Sequence, residues 1–307
     1  MRRKSKTVVR RILPLYLTYN PNRMTDGFGA QGIRVMGIFS IARFFRLGYL
    51  HNPISEISDI NELVGTTGRH SEFQQILAEL NEYIKFPQDN FPTQNSNFVD
   101  IYNLGFRKLL YFGMIALIFR KSIILRICLP FGITDRMPII NYYGKKVLGK
   151  SKGSKLNSIS HKRVVVVHIR ASEHSPDKIR QQLGPIYYKN VLNQVAEQFK
   201  GEFHLIVHTD FHLSDFGASG KTKRVKAFEP FLQECESMSN SEVNHYADIR
   251  KVIFDMTHAD VLVMSRSALP YLAGLLSGGE IVFPKCHGHS PLRGWIIQDC
   301  ADFIFGV

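Results

Sequence analysis

Val164-Val165-Val166-Val167-His168-Ile169-Arg170 sets four β-branched residues in a row, followed by two polar side chains on alternate positions. A strand with no polar break reads as one buried on both faces, as in a parallel sheet covered by helices on each side. Side chains two apart leave the same face, so His168 and Arg170 project together from the strand's carboxyl end. Open α/β sheets bind their ligands beyond that end. A guanidinium placed there can grip a phosphate or carboxylate through two parallel hydrogen bonds. Taken alone, the stretch also fits a structural histidine and a solvated arginine on an ordinary strand.

Downstream the chain alternates. Helical spacing runs from Ile186 to Lys200 through Tyr187, Val191, Val195 and Phe199, and Phe203 to His208 is a strand ending in Thr209-Asp210. Helices are predicted over 229–236 and 247–257, a strand over 260–264, a helix over 267–276 and a strand over 280–283. This β-α-β alternation predicts a doubly wound parallel sheet. Right-handed crossovers would bring the ends of 164–167, 203–207 and 261–264 to one edge. Three polar clusters then share that edge: His168 with Arg170 and Glu173; His208, Thr209 and Asp210; and Ser265, Arg266 and Ser267. Ser267, just before an apolar helix, reads as its N-cap, and a helix N-terminus offers free N–H groups to a phosphate. A plain cap with no ligand would look the same.

Upstream, a short apolar run over 12–18 is a candidate first strand. The glycine-rich Asp26-Gly27-Phe28-Gly29-Ala30-Gln31-Gly32 follows as a loop, then a helix over 33–47. Gly27, Gly29 and Gln31 belong to a loop that backbone and ligand could approach closely. It is not a G-x-G-x-x-G dinucleotide fingerprint. Residues 48–54 suggest a second strand, and helical segments are predicted over 58–64 and 71–86. Between 98 and 148, the apolar pieces 109–119 and 122–131 are broken by Arg107, Lys108, Arg120, Lys121 and Arg126. They read first as a pair of buried helices with charged ends, and second as a basic amphipathic face resting on a membrane. The basic, Ser- and Gly-containing stretch 145–162 reads as a linker, with a domain boundary near Gly149.

Composition narrows the class. The net charge of +13 favours an anionic partner and says nothing of fold. No aromatic-plus-basic stripe or helix-turn-helix pattern accompanies it, so nucleic acid is disfavoured. Cys128, Cys235, Cys286 and Cys300 are scattered without a C-x-x-C pair, which argues against a disulfide framework and suits a reducing compartment. Residues 1–11 form a basic tail rather than a signal peptide. The expectation is a cytoplasmic protein, peripheral to the inner face of the membrane if the basic segments touch anionic lipid. Gly217-Ala218-Ser219-Gly220-Lys221-Thr222 fails as a phosphate-binding loop because Asp215 stands where glycine is required, and basic residues follow where an apolar helix should begin. Cys286, His287 and His289 are spaced too tightly for a usual tetrahedral metal site and read as a structural turn. No D-x-D pair occurs.

Taken in order, the D-G-F-G-A-Q motif with its helix, Tyr49-Leu50-His51-Asn52-Pro53-Ile54, His168-Ile169-Arg170 with Tyr187-Tyr188, Ala259 to Ser267 and Pro291-Leu292-x-x-Trp295 resemble the fucosyltransferase superfamily. That superfamily comprises bacterial alpha-1,2-fucosyltransferases, the alpha-1,6 enzymes and protein O-fucosyltransferases. The resemblance implies an α/β, GT-B-like fold: two Rossmann-like domains with the donor cleft between them. An acceptor-side domain would cover 12–149 and a nucleotide-sugar-binding domain 150–307. The implied activity is inverting fucosyl transfer from GDP-fucose, or another GDP-sugar, to a glycan or lipid-linked saccharide in surface polysaccharide synthesis, with no metal and no cofactor. By the same resemblance Arg170 holds the donor β-phosphate, and Ser265, Ser267, His168 and Asp210 line the donor site. Asp26 is the general base, with His168 or Glu173 as alternatives. Many relatives continue H-x-R-R-G-D, whereas this chain reads Ala171-Ser172-Glu173. A non-catalytic nucleotide-sugar or glycan-binding protein on the same fold is therefore the rival reading.

Overall fold

The structure is a computed structural model that describes residues 13–21, 26–57, 70–92, 96–129, 162–170, 182–211, 222–300 and 303–304. It divides into two compact units, one built from the described residues up to 129 and the other from those from 162 onward. The basic tail 1–11, the helix predicted over 58–64, the linker 145–161, Glu173 and residues 212–221 lie outside the described residues.

In the first unit β1 (Leu15–Tyr19), β2 (Gly48–Tyr49), β3 (Asn97–Asn103) and β4 (Ile123–Leu129) form a sheet in the order β2-β1-β4-β3, with every pair parallel. Strands β1 and β4 hold its middle and are buried along nearly their whole length. Among the described residues this unit has three helices, α1 (Phe28–Phe44), α2 (His70–Tyr83) and α3 (Phe106–Phe119). The glycine motif proves to be helix rather than loop. Gly27 is the N-cap of α1, and Phe28 to Gln31 form its first turn. Burial explains the shift: twelve of the seventeen residues of α1 are buried, so no polar face marks where the helix begins.

The segment after β3 departs further from expectation. Residues 122–131 do not form a second buried helix, because Ile123–Leu129 is the β4 strand. The predicted first helix exists as α3, but only Leu109, Gly113 and Ala116 are buried along it. Strand β3 lies at the sheet edge with five of its seven residues exposed, which is why its sequence lacks a clean apolar face.

In the second unit, β5 (Arg163–Ile169), β7 (Phe203–Thr209), β8 (Ser241–His245), β9 (Val261–Val263), β10 (Glu280–Pro284) and β11 (Ile296–Gln298) form an all-parallel sheet. Read across the sheet, the order is β8-β7-β5-β9-β10-β11. The chain steps outward from β5 through β7 to β8, then returns to the other side of β5 and steps outward again. This is the 3-2-1-4-5-6 order of Rossmann folds, with the direction reversing between β5 and β9. Helices α4 (Pro185–Gln198), α5 (Thr222–Ser237), α6 (Ile249–His258) and α7 (Ala268–Leu276) connect the strands. Helix α5 begins seven residues before the helix predicted over 229–236.

The valine run behaves as read. Val165, Val167 and Ile169 pack with Tyr187 and Tyr188 of α4 and Phe228 and Phe231 of α5 in one core cluster. The opposite face carries His208, bonded to Asp255 of α6. Asp260 clasps the start of the pairing between β5 and β9: its N–H donates to Val164 O at 2.9 Å, and its carboxylate accepts from Val164 N at 2.9 Å. A short antiparallel pair, β6 (Gln182–Leu183) with β12 (Phe303–Ile304), completes the described elements. Both units are thus Rossmann-like parallel α/β folds, the two halves from which a GT-B-like chain is made.

Candidate functional site

Five expected site residues meet where the second sheet reverses direction. His168 leaves the end of β5 and its Nδ1 lies 2.9 Å from the Ser265 hydroxyl, which follows β9. Two residues on, Arg170 donates from Nη1 to Ser267 Oγ at 3.2 Å. Its Nε lies 3.7 Å from Asp210 at the end of β7. His168, Ser265 and Ser267 are buried, while the Arg170 side chain keeps about a third of its surface open (38%).

Ser267 occupies the N-cap position of α7, as expected, but its hydroxyl makes no capping bond. The third helical residue removes one of the two donors such a bond could use. A cap hydroxyl accepts from the N–H of the second or third residue, and the third here is Pro270, which has none. The hydroxyl is left to Arg170, and the first N–H groups of α7 have no intrahelical acceptor. A guanidinium, two serine hydroxyls and an uncapped helix start are groups that can bind an anion, with Asp210 the acidic residue beside them among the described residues.

His287 supports this geometry and was overlooked as a contributor. Its Nδ1 accepts from His289 N at 3.1 Å, so Nε2 carries the hydrogen, which is directed at Ser267 O 3.3 Å away. Burial, with His289 and Arg266 nearby, pushes its pKa down to about 4, which keeps the ring neutral in this role. Its neighbour Cys286 is bonded to Cys300. The scattered-cysteine reading therefore fails at this pair, because the bond joins the ends of β10 and β11, two elements whose adjacency no cysteine spacing reveals. The cysteine is thereby removed from any ligand set.

His168 sits against His208 on the neighbouring strand. Burial above all, then the nearness of His208 and Arg170, pushes its pKa down to about 3. So weak a base, already bonded to Ser265, is suited to orienting that hydroxyl rather than to taking a proton. Beside it a polar chain crosses to α6: His208 Nε2 to Asp255 Oδ2 at 2.9 Å, Lys251 Nζ to the same oxygen at 2.8 Å, and Lys251 to Glu242 at 3.3 Å. The buried hydroxyls of Tyr187 and Tyr188 have no hydrogen-bond partner among the described residues.

The remaining expected residues that the structure describes lie in the first unit. Asp26 is half-exposed and ion-paired with Arg34 of α1, so its carboxylate must loosen that bond to accept a proton. Gly27 and Gly29 are the cap and first turn of α1. Gln31 is fully buried and fully used: its amide donates to Asp26 O and Glu56 O, both at 2.6 Å, and its oxygen accepts from Tyr19 Oη at 2.9 Å. It fixes the Asp26 segment and has no donor left for a ligand. Nearby, Asn20 donates to Asp100 at 3.0 Å, and Arg126 pairs with the same carboxylate at 2.7 Å. Neither Arg34 nor this trio stood out in the sequence, since their partners are far away along the chain.

No protein-family model matches the sequence, and no curated protein matches it. Among solved structures, E. coli heptosyltransferase WaaC with ADP-2-deoxy-2-fluoro heptose is 9% identical, with 92% of each chain covered and a TM-score of 0.39. WaaC with ADP is 10% identical over 93% of this chain and 92% of its own, with a TM-score of 0.37. POFUT1 in complex with GDP-fucose is 11% identical over 95% of this chain and 75% of its own, with a TM-score of 0.22. At identities this low and TM-scores this small, the likeness assigns no activity, and the fold stands on the chain's own sheets.

Proposed function

We propose that the chain is an inverting glycosyltransferase that takes a nucleotide-diphosphate sugar, GDP-fucose or another GDP-sugar, at the carboxyl edge of the second unit's sheet. One observation carries the reading: Arg170 reaches Ser267 at the uncapped start of α7, where the Rossmann strand order reverses. A diphosphate on these groups gains negative charge as its bond to the sugar breaks. Arg170 and the N–H groups of α7 are aimed at that charge, and stabilisation of a leaving group by preorganised donors is a large source of rate. His168 and His287 hold the two serines in register. The acceptor is a saccharide hydroxyl in surface glycan synthesis; its proton goes to a carboxylate, with Asp26 and Glu173 as the candidates.

The test is nucleotide-sugar binding and transfer by the purified chain, beginning with thermal stabilisation across GDP-, ADP- and UDP-sugars. Loss of one charge-assisted contact of about 1.5–3 kcal/mol predicts that Arg170→Ala weakens donor affinity by roughly 10- to 150-fold. Equal donor affinity in variant and wild type would remove Arg170 from the site. Tight donor binding with neither transfer nor donor hydrolysis would make the chain a nucleotide-sugar-binding module instead.

A further inference from the structure

Helix α3 turns the wrong side outward for a globular protein. Leu109, Gly113 and Ala116 form its narrow buried stripe, while Leu110, Tyr111, Met114, Leu117 and Ile118 are each more than half exposed. At about 100° per residue those five fall within roughly a third of the helix circumference. The surface continues beyond the helix. Phe106 meets Phe45 with ring centroids 6.0 Å apart, beside exposed Phe44 at the end of α1. An exposed apolar helix face of this extent marks a place where something binds.

Charge decides what. Arg107 and Lys108 lie in the first turn of α3, and Arg120 and Lys121 follow its last. No acidic residue occurs between Asp100 and Asp135. A second copy of the chain docking helix to helix through this face would set these cations against themselves, with no carboxylate on the helix to answer them. An anionic lipid surface supplies both what the apolar face and what its cationic ends require. The helix is fourteen residues long, shorter than a bilayer span, so it would lie in the interface rather than cross it. We propose that α3, with the end of α1, is a docking face for an anionic lipid membrane. This inference is independent of the catalytic reading.

The experiment is flotation of the full chain with vesicles of phosphatidylcholine alone and with phosphatidylglycerol added. The expected result is flotation with the anionic vesicles, weakened by salt. The triple variant Leu110→Glu, Met114→Glu, Ile118→Glu should abolish it without changing the circular-dichroism melting curve, since all three side chains are exposed. A second variant, with Arg107, Lys108, Arg120 and Lys121 changed to Gln, should lose about fivefold in affinity per charge removed. It decides the matter if the triple variant fails to fold. Failure of the wild type to float overturns the proposal, as does undiminished flotation of the folded triple variant, which would assign binding to another segment. A wild-type dimer in light scattering that the triple variant dissolves would show the face to be a contact between copies, and also overturns it.

Discussion

Acid should weaken the second unit through a single buried ring, and the size of the effect follows from where that ring sits. His168 is buried at 7% exposure, with a pKa pushed from 6.5 to about 3. Below pH 6.5 the unfolded chain takes up a proton that the folded chain refuses until about pH 3, so stability rises with pH across that window and falls as acid is added. At pH 5 the unfolded ring is almost wholly protonated and the folded ring almost wholly neutral, which costs about 2 kcal/mol relative to pH 8. Shifting the folded value up by one pH unit changes this by less than about 0.1 kcal/mol, because at pH 5 the unfolded ring sets the difference. Trp295, the chain's single tryptophan, is buried in this unit and reports its unfolding alone. Urea titrations followed by its fluorescence at pH 8 and pH 5 should show wild type losing about 2 kcal/mol more than His168→Gln between the two. The variant will be less stable at both pH values, so only the difference between them counts. Should His168→Gln lose as much on acidification as wild type, to within about 0.5 kcal/mol, the ring is not held neutral and the reasoning fails.

Two further predictions concern the same unit. Asp255→Ala leaves His208 without its Nε2 partner, and Nδ1 already has none among the described residues, so a loss of about 3 kcal/mol, the upper end for a stranded buried group, is expected in the same urea titration. Burial raises the Asp255 pKa, but bonds from His208 and Lys251 outweigh it and hold the carboxyl below the ordinary 3.8. Its contribution is thus present at neutral pH and lost only as pH falls through that lowered value; an unchanged acid limb in Asp255→Ala would contradict this. Gly279→Ala puts a methyl 2.2 Å from Ala259 O and 2.7 Å from Asp260 O, backbone atoms that cannot swing aside. A destabilisation of at least about 1–3 kcal/mol should appear as a lowered melting temperature.

How far the sequence foretold this molecule depends on the element. The second sheet was readable because Val164–Val167 and the alternating segments after it are central, where burial on both faces leaves an unbroken apolar run. Strands β8 and β11 escaped notice because edge strands carry polar or short sequences with no such signature, as Ser241–His245 shows. In the first unit, the buried helix α1 concealed its own start, and β4 was mistaken for helix because Ile123–Leu129 is as apolar as a helix core and broken only by Arg126. At the site, the meeting of His168 with Ser265 and of Arg170 with Ser267 followed from strand order alone. The release of Ser267 from its capping duty by Pro270 was visible in the sequence, though it meant something only once Arg170 lay beside it. The commitment of Gln31, by contrast, depended on Tyr19 and on the carbonyl of Glu56, 25 residues away, and no local pattern carries that.

The pairing of β5 with β9 also has a kinetic side. His168 and Ser265 are 97 residues apart, and so are Arg170 and Ser267. Strands β5, β7 and β8 can assemble through nearest-neighbour crossovers, whereas β9 must travel back past the whole of that half to reach β5. Closing so long a loop is entropically costly and slow to be rewarded, so docking of β9 belongs late in folding. A nascent chain emerging only as far as α6 would already hold Arg170 beside Asp210 yet lack Ser267 and the start of α7. On the proposed function, donor affinity would arrive with the last strands to join, which would make ligand binding a reporter of finished folding rather than of collapse.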